Sequence, residues 1–436
     1  MNPDDPLLQL QPSDRLLLQE VQRRAVNFFL EKAHPATGLI NDRAHNFKDD
    51  NFTVASIAAT GYGLAALPIG VANQWLTRVE AARRARTTLR FLTTMPHERG
   101  WMCRFVDKSN GERMWGSEYS SIDTAILLCG AIACAQFFAN DPSANDIFHY
   151  CDQLYRRIDW WWMLTNDRAQ PQKQVLSHGW TPESGFLAYN YDSYSEAILL
   201  TLLGLGAPVR PLPEQSWDAI RRTKQIYGGL ELLKAGPIFI HQMPAGFFHL
   251  GNKRDRLGYD YWVSSANAMK MHRQYCIDHA GSRQTYANGY WGLNASDGPF
   301  GYTAYGAPDG PEDGTVSPTG AISSITFTPD AATAIARSLH EKLGTLMWGN
   351  YGFGNAFNID HNWHDPEVIG IDLGMVVVAI ENYRTGLVWS LMNSHYAIGP
   401  ALRAAGFRAT VEVEPRPLQR TGGASEPPSI AEFSSE

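Results

Sequence analysis

The stretch EYSSIDTAILLCGAIACAQFFA, residues 118–139, decides the class of fold. After its first turn this segment is apolar on every side, and a helix of that kind is buried all round. Segments of the same character lie at 53–67, 193–205 and 371–380. Others, such as 14–32, carry stripes of Arg, Glu and Gln that are typical of helices facing water. Buried and exposed helices therefore tend to alternate along the chain.

This alternation predicts an all-α fold in which an inner and an outer ring of helices form an (α/α)6 barrel. The remaining predicted helices are 74–95, 144–165, 214–228, 259–280, 330–343, 369–383 and 386–405. An α-solenoid is the rival architecture, but the sequence lacks the self-similar repeat that a solenoid requires.

A single domain is predicted over residues 13–410, because no linker-like stretch interrupts the helical pattern. Residues 1–12 are an acidic, proline-bearing N-terminal extension. Residues 411–436 are rich in Pro, Gly and Ser, and we expect this tail to be disordered.

Composition narrows the functional class. The chain holds 37 Lys and Arg against 44 Asp and Glu, a net charge of −7 over 436 residues. A nucleic-acid binder would show a basic face, so nucleic acid is not an expected partner. The five cysteines contain no CxxC pair and predict a reduced protein without disulfides. Nucleotide-binding motifs are absent and His361 and His364 lack companion ligands, so no cofactor and no metal is predicted.

The N-terminal residues show neither the basic nor the apolar segment of a secretory signal peptide. We therefore expect a cytoplasmic location if the chain is full length, and a periplasmic one if a leader was removed. No uninterrupted run of about 18 apolar residues occurs, so no membrane span is expected.

Two long loops, 166–192 and 281–328, concentrate glycine and aromatic residues. Long loops of that kind in a compact domain are more often functional than accidental. The rings of these loops and of the segment 348–351 are Trp180, Phe186, Tyr290, Trp291, Tyr302, Trp348 and Tyr351. Such rings either fill a core or stack on the flat faces of sugars, and the sequence leaves both interpretations open.

Carboxylates stand where the apolar helices begin. Ser120 is placed to cap the helix that follows it, with Asp123 at the third helical position. Ser193 and Glu196 repeat the pattern, and Asp372 lies near the start of a further helix. Helix capping alone would explain these acids. Alternatively, they line one mouth of the barrel as the acid and base of a glycoside hydrolase.

An ordered set of short motifs runs from about Val26 to Trp389. The motifs are Gly38-Leu39 with Asn41-Asp42-Arg43; residues 56–61; Glu118-x-Ser120-x-Ile122-Asp123-Thr124-Ala125; Asp159-Trp160; Gly179-Trp180-x-Pro182-Glu183-x-Gly185-Phe186; Pro237-x-Phe239-x-His241-Gln242; Trp291-Gly292 with Ala295-Ser296-Asp297; residues 313–315; Tyr351-Gly352-Phe353 with Ala356-Phe357; and residues 381–387. In this order they resemble the glycoamylase-like family, whose members include bacterial endo-β-1,2-glucanases and a domain of cyclic β-1,2-glucan synthases.

The resemblance implies an (α/α)6 barrel that hydrolyses β-linked glucan with inversion, most of all β-1,2-glucan to sophoro-oligosaccharides. It also implies that Asp123 and Glu196 line the substrate cleft, and we assign Glu196 as general acid and Asp123 as general base. The residues expected to bind the saccharide are Asp42, Arg43, Glu118, Trp180, Phe186, His241, Gln242, Trp291, Asp297, Tyr302, Asp372 and Arg384. Arg384 could instead form a structural ion pair with Glu381.

The chain departs from the family pattern at Ser195, at Leu373 and over residues 243–251. Two alternative functions fit the same features. One is a transglycosylase that remodels β-1,2-glucan on the same fold, and the other is a non-catalytic glycan-binding protein. In each case the expected partner is an oligo- or polysaccharide.

Overall fold

The computed structural model describes residues 5–166 and 174–410. The α-helices of these residues are α1 (Pro12–Glu31), α2 (Ile57–Ala72), α3 (Arg78–Thr94), α4 (Ser121–Phe138), α5 (Asn145–Arg156), α6 (Trp160–Met163), α7 (Ile198–Leu205), α8 (Gln215–Asp218), α9 (Phe239–Phe247), α10 (Tyr261–Asp278), α11 (Gln284–Ala287), α12 (Pro318–Ile322), α13 (Pro329–Met347), α14 (Gly370–Thr385), α15 (Leu387–Ser394) and α16 (Ile398–Ala404). Single 3-10 turns occur at Pro6–Gln9, Pro142–Ala144 and Ser323–Thr326.

The strands are short. They are β1 (Arg43–His45), β2 (Val54–Ser56), β3 (Met102–Cys103), β4 (Phe105–Asp107), β5 (Tyr119–Ser120), β6 (Leu164–Asn166), β7 (Gln174–Leu176), β8 (Gly179–Thr181), β9 (Gly185–Phe186), β10 (Lys224–Tyr227), β11 (Leu230–Leu233), β12 (Lys253–Arg254), β13 (Ala295–Ser296), β14 (Thr303–Ala304), β15 (Trp348–Gly349), β16 (Gly352–Phe353), β17 (Phe357–Asn358), β18 (Trp363–His364), β19 (Glu367–Ile369) and β20 (Arg408–Ala409).

The chain folds into an (α/α)6 barrel, as the alternation of helices predicted. The inner ring consists of α2, α4, α7, α9, α12 with the 3-10 turn that follows it, and α14, each packed against its neighbours. The side-chain amide of Gln242 joins α9 to α12 by donating to the carbonyl oxygen of Gly320 at 2.7 Å. Helices α1, α3, α5, α10 and α13 lie outside this ring, and α16 packs on α7.

Small residues bring the two most apolar inner helices into close contact. Residues 57–70 of α2 are all buried, as is most of α4. A methyl group added to Gly130 of α4 would stand 1.8 Å from the carbonyl oxygen of Gly61 of α2, so the two backbones touch. Only glycine permits this approach.

Helix α4 is long and apolar enough to cross a membrane by length and composition alone. However, 83% of that segment is buried inside the protein, as in the core helix of a barrel. The sequence prediction concerned uninterrupted apolar runs. Helix α4 is not such a run, because Asp123 and Thr124 interrupt it.

Several strand pairs lie at the end of the barrel where the inner helices begin. Strand β2 leads directly into α2, β5 into α4 and β19 into α14. The largest sheet has the strand order β3-β5-β8-β9, with Tyr119 opposite Trp180 and Ser120 opposite Gly179. Antiparallel β1 pairs with β19, placing Arg43 opposite Ile369. These pairs fix the positions of the helix starts at which the predicted carboxylates lie.

Several predicted boundaries were wrong. The segment 214–228 is helical only over α8 and continues into the hairpin β10–β11, which turns at Gly228 and Gly229, both with positive φ. The segment 144–165 divides into two helices, and α9 was not predicted. Residues 386–405 form α15 and α16, a division that the sequence pattern also allowed.

Residues 5–11 of the predicted extension pack on the barrel. Leu7 is fully buried, and the Asp5 carboxylate forms an ion pair with Arg384 at 3.1 Å. The predicted disordered tail, residues 411–436, lies outside the described residues, as do residues 167–173 of the first aromatic loop.

Candidate active site

A cavity of about 280 Å³ opens where the inner helices begin. Its acidic lining consists of Glu118, Asp123, Glu196 and Asp372. Its apolar wall consists of Ile122, Ile126, Leu187, Phe239, Met243, Ala295, Ile371 and Met375. The other lining residues are Arg104, Ser120, His178, Tyr191 and Tyr302. Four carboxylates in a partly apolar cavity are the expected surroundings for acid–base chemistry.

Glu196 lies in the turn before α7 and does not cap that helix. The helix begins at Ile198, and its N-cap residue Ala197 makes no side-chain cap hydrogen bond. The hydroxyl of Ser193, the proposed capping partner, donates instead to Asp192. Burial, assisted by the nearby Asp123 carboxylate, raises the pKa of Glu196 to about 7. Glu196 is therefore suited to donate a proton near neutral pH.

Asp123 occupies the third position of α4, as predicted. The Ser120 hydroxyl oxygen accepts from the Asp123 backbone N–H at 3.2 Å, and the same hydroxyl donates to Asp123 Oδ2 at 2.6 Å. Burial raises the pKa of Asp123, while the Arg104 guanidinium and this hydroxyl hydrogen bond oppose the rise. Asp123 is both a capping residue and a lining residue of the cavity.

Asp372 has the equivalent third position on α14. Its Oδ2 accepts a hydrogen bond of 2.6 Å from the Asn355 side-chain amide. Burial raises the pKa of Asp372 to about 7; the Asn355 hydrogen bond opposes the rise, and the Asp42 and Asp297 carboxylates add to it. The acidic neighbours of Asp372 therefore differ from those of Glu196, whose pKa is raised by Asp123.

Arg43 connects a group of carboxylates beside Asp372. Its Nη1 lies 2.9 Å from Asp297 Oδ2 and 3.0 Å from Glu367 Oε2, and its Nε lies 3.3 Å from Asp42 Oδ2. The cavity lining does not include Asp42, Arg43 or Asp297. However, the Asp42 and Asp297 carboxylates add to the rise in the pKa of Asp372.

Three carboxylates near Arg43 could hold a metal ion. Oxygens of Asp297, Asp365 and Glu367 lie within 4.8 Å of one another. The Arg43 guanidinium already contacts two of the three and supplies a positive charge there. The sequence did not indicate this group, because its members come from segments about 70 residues apart.

Glu118 and Tyr302, both expected to bind the saccharide, line the cavity, and Glu118 Oε1 lies 3.9 Å from Arg104 Nη1. Tyr302 is 58% exposed, as a residue at the rim of the opening would be.

Two predicted aromatic residues form a side wall instead of lining the cavity. The Trp162 ring lies 5.5 Å from that of Trp180 and 5.0 Å from that of Phe186, measured between centroids. Trp180 also packs on Tyr119, and the neighbouring Leu187 is the residue of this hairpin that reaches the cavity.

His241, Gln242 and Trp291 lie in the protein interior. His241 Nδ1 is hydrogen-bonded to the Tyr194 hydroxyl at 3.0 Å, and burial lowers the pKa of its imidazole to about 3. Gln242 binds α12, and Trp291 belongs to the apolar core. These three residues therefore pack in the protein interior, whereas the sequence predicted that they contact the saccharide.

Arg384 is not at the cleft, which corrects the prediction that it binds saccharide. It lies twelve residues beyond Asp372 on α14, which is about 18 Å along the helix axis. There its guanidinium contacts Asp5 at 3.1 Å and Glu381 at 3.5 Å, and it also binds the Asn73 side chain. The structural alternative for this residue was the right one.

The family model Glycoamylase, described as "Putative glucoamylase", matches residues 188–396. The chain carries a glycoamylase-like domain. The ordered motifs had predicted this family.

One curated relative of the chain is the exo β-1,2-glucooligosaccharide sophorohydrolase (non-reducing end) of Parabacteroides distasonis. It is 26% identical over 421 residues, covering 88% of this chain and 57% of the relative. The chain thus spans little more than half the length of that relative.

Two solved structures share the fold. One is a Bacteroides uniformis protein with the same description as the family model; it is 29% identical, has a TM-score of 0.84, and the match covers 92% of this chain and 99% of that one. The other is the endo-β-1,2-glucanase of Chitinophaga pinensis in complex with sophorotriose and glucose, with a TM-score of 0.84. It is 24% identical over 91% of this chain and 99% of that one, and supports the fold alone.

The cavity contains residues that the sequence did not single out, chiefly Arg104, His178 and Tyr191. The His178 and Tyr191 rings are stacked at 3.9 Å, and Arg104 is the single residue between β3 and β4. These residues come from irregular segments, so no periodic pattern marks them. Only the pairing of β5 with β3 and β8 brings them to the helix start at Ser120.

Proposed function

We propose that this protein is an inverting glycoside hydrolase that cleaves β-1,2-linked glucan to sophoro-oligosaccharides. The observation that carries the proposal is the pairing of Glu196 and Asp123 in one cavity, where burial and Asp123 raise the pKa of Glu196 to about 7. Glycoside hydrolysis requires a group that donates a proton and, beside it, a group that accepts one. The names of the relatives supply the linkage.

Glu196 is assigned as the general acid. It is protonated up to about pH 7 and donates its proton to the glycosidic oxygen as the bond from that oxygen to the anomeric carbon breaks. The apolar wall beside it, including Phe239 and Met243, limits hydration of the carboxylate and keeps it protonated.

Asp123 is assigned as the general base. It takes a proton from the water whose oxygen attacks the anomeric carbon on the face opposite the leaving group. The positive charge of Arg104 and the Ser120 hydroxyl both favour its ionised form. The product reducing end then has the α configuration.

Asp372 is the second candidate for the base. Its pKa is raised mainly by burial, with smaller contributions from the Asp42 and Asp297 carboxylates. An inverting enzyme needs room for a water between its two carboxyl groups, about 6.5–9.5 Å. Both assignments retain Glu196 as the acid.

The activity is tested by incubating the protein with β-1,2-, β-1,3- and β-1,4-glucans and following the anomeric protons by NMR. We expect new reducing ends from the β-1,2-glucan, formed first as the α anomer. First products with the β configuration would refute inversion, and no cleavage of any glucan would refute a hydrolase. Longer or cyclic products without new reducing ends would identify a transglycosylase.

The roles are tested with Glu196→Ala, Asp123→Ala and Asp372→Ala. We expect Glu196→Ala to lose activity on glucan but to retain most activity on a sophorosyl fluoride, whose leaving group needs no proton. The base variant should be rescued by azide with formation of an α-glycosyl azide. Rescue of Asp372→Ala alone would transfer the base role to Asp372. Glu341→Ala, on the exposed face of α13, is the control that should leave activity on both substrates unchanged.

A further inference from the structure

The loop before β5 exposes a tryptophan that the acid–base site does not use. Trp115 is 69% exposed, which leaves most of a large apolar ring in water. Its backbone has φ of 55°, in the left-handed region that a bulky residue rarely adopts. Exposure and backbone strain both cost free energy, and such strain concentrates at functional sites.

Hydrogen bonds hold this loop in place. The Arg113 guanidinium donates to the Gly116 carbonyl oxygen and to both oxygens of Glu183, at 2.6 and 2.9 Å. The Ser117 side chain closes the base of the loop through the Phe105 backbone, at 3.1 and 3.2 Å. Trp115 is therefore presented by a fixed loop and not by a free surface segment.

The tryptophan continues the wall of the cavity. Its ring lies 5.3 Å from the Phe105 ring between centroids, at an interplanar angle of 65°. The Arg104 guanidinium lies 4.8 Å from the centroid of the Phe105 ring, and Arg104 also lines the cavity. Arg104, Phe105 and Trp115 thus form a continuous strip from the cavity to the outer surface.

The cavity is too small for a long saccharide. Its volume of about 280 Å³ lies just below the range of about 300–1,000 Å³ for small-ligand sites. A glucan of more than a few residues must therefore extend beyond the cavity, and the strip offers it a path. The flat C–H face of a glucose ring and an exposed indole are complementary apolar surfaces.

We propose that Trp115 forms an accessory subsite that stacks a glucose residue of the glucan outside the cavity and so favours longer chains. This inference rests on the proposed function. Trp115 contributes to binding only, because it does not line the cavity that holds Glu196 and Asp123.

The test compares Trp115→Ala with Trp115→Phe on a series of sophoro-oligosaccharides. For the longest chains we expect Trp115→Ala to raise KM by about twofold to tenfold at unchanged kcat, the range of aromatic stacking energies. For the shortest cleaved chain KM should not change, and Trp115→Phe should retain most of the preference. Tyr396→Ala, which removes another exposed ring between α15 and α16, is the control without effect.

A binding measurement separates this inference from the proposed function. In Glu196→Gln, long oligosaccharides should change the tryptophan fluorescence, and Trp115→Phe in that background should remove most of the change. If Trp115→Ala changed KM by the same factor for long and short chains, the subsite would be refuted and the proposed hydrolase function would stand. A wild-type protein that cleaves no glucan would refute the proposed function and the subsite with it.

Trp115→Gly, which relieves the positive φ, should fold at least as stably as the wild type.

Discussion

The raised pKa of Glu196 predicts that this residue destabilises the fold at alkaline pH. Its pKa rises from 4.5 to about 7, mainly because the carboxylate loses hydration in the cavity. The folded state therefore binds the proton more tightly than the unfolded state. The stability that the protonated group contributes is fully present below pH 4.5 and is lost as the pH rises through 7.

The magnitude follows from the pKa change. One pKa unit corresponds to 1.36 kcal/mol, so the difference amounts to about 3 kcal/mol at most. Glu196→Gln keeps the shape of the side chain and removes the ionisation. We expect its free energy of unfolding to match that of the wild type at pH 4 and to exceed it by about 1–3 kcal/mol at pH 8.

The assay is denaturant unfolding of both proteins at pH 4, 6 and 8. Glu341→Gln, on the exposed face of α13, is the control for the substitution itself. A Glu196→Gln variant that is less stable than the wild type at pH 8, or equally stable at every pH, would refute the reasoning. Activity should follow the same proton, with kcat/KM falling about tenfold per pH unit above pH 7.

Three further predictions concern the barrel. Gly130→Ala places a methyl group against the Gly61 carbonyl oxygen and should lower the melting temperature markedly, whereas Gly344→Ala, which meets no atom within 4 Å, should not lower it. Arg384→Ala should destabilise the fold through its contacts with Asp5 and Glu381 without changing KM, and a changed KM would return it to the saccharide site. Asp255→Ala leaves the buried Arg222 guanidinium without its carboxylate 3.6 Å away and should cost about 3–5 kcal/mol in denaturant unfolding.

The sequence predicted the parts of the fold that depend on local pattern. The apolar character of α4 and the cap at Ser120 were readable because both lie within a few consecutive residues. The hairpin β10–β11 was missed because its apolar residues also fit a helical spacing, and the turn at Gly228-Gly229 decides between the two. Helix α9 was missed because Pro244 lies inside it.

The candidate site was only partly predictable for a related reason. Glu196 and Asp123 stand at helix starts and could be named from the sequence. Arg104 reaches the cavity only through the pairing of β5 with β3, and Arg384 was misplaced because a motif does not say at which end of a helix its residue functions. The resemblance supplied the chemistry of the site but not the side of the barrel on which each residue lies.

The two explanations offered for the helix-start carboxylates are separated by magnitude. A carboxylate in the first turn of a helix is stabilised in its ionised form by about 0.3–1 kcal/mol, and by about 2 kcal/mol in favourable partly buried sites. A residue retained for capping alone would therefore have a lowered pKa. Asp123 and Asp372 both stand at the third helical position, yet burial raises the pKa of each, that of Asp372 to about 7. The loss of hydration outweighs the helix dipole at both positions. A fold that needed only the cap would leave these carboxylates in water, so their burial against one cavity favours catalysis.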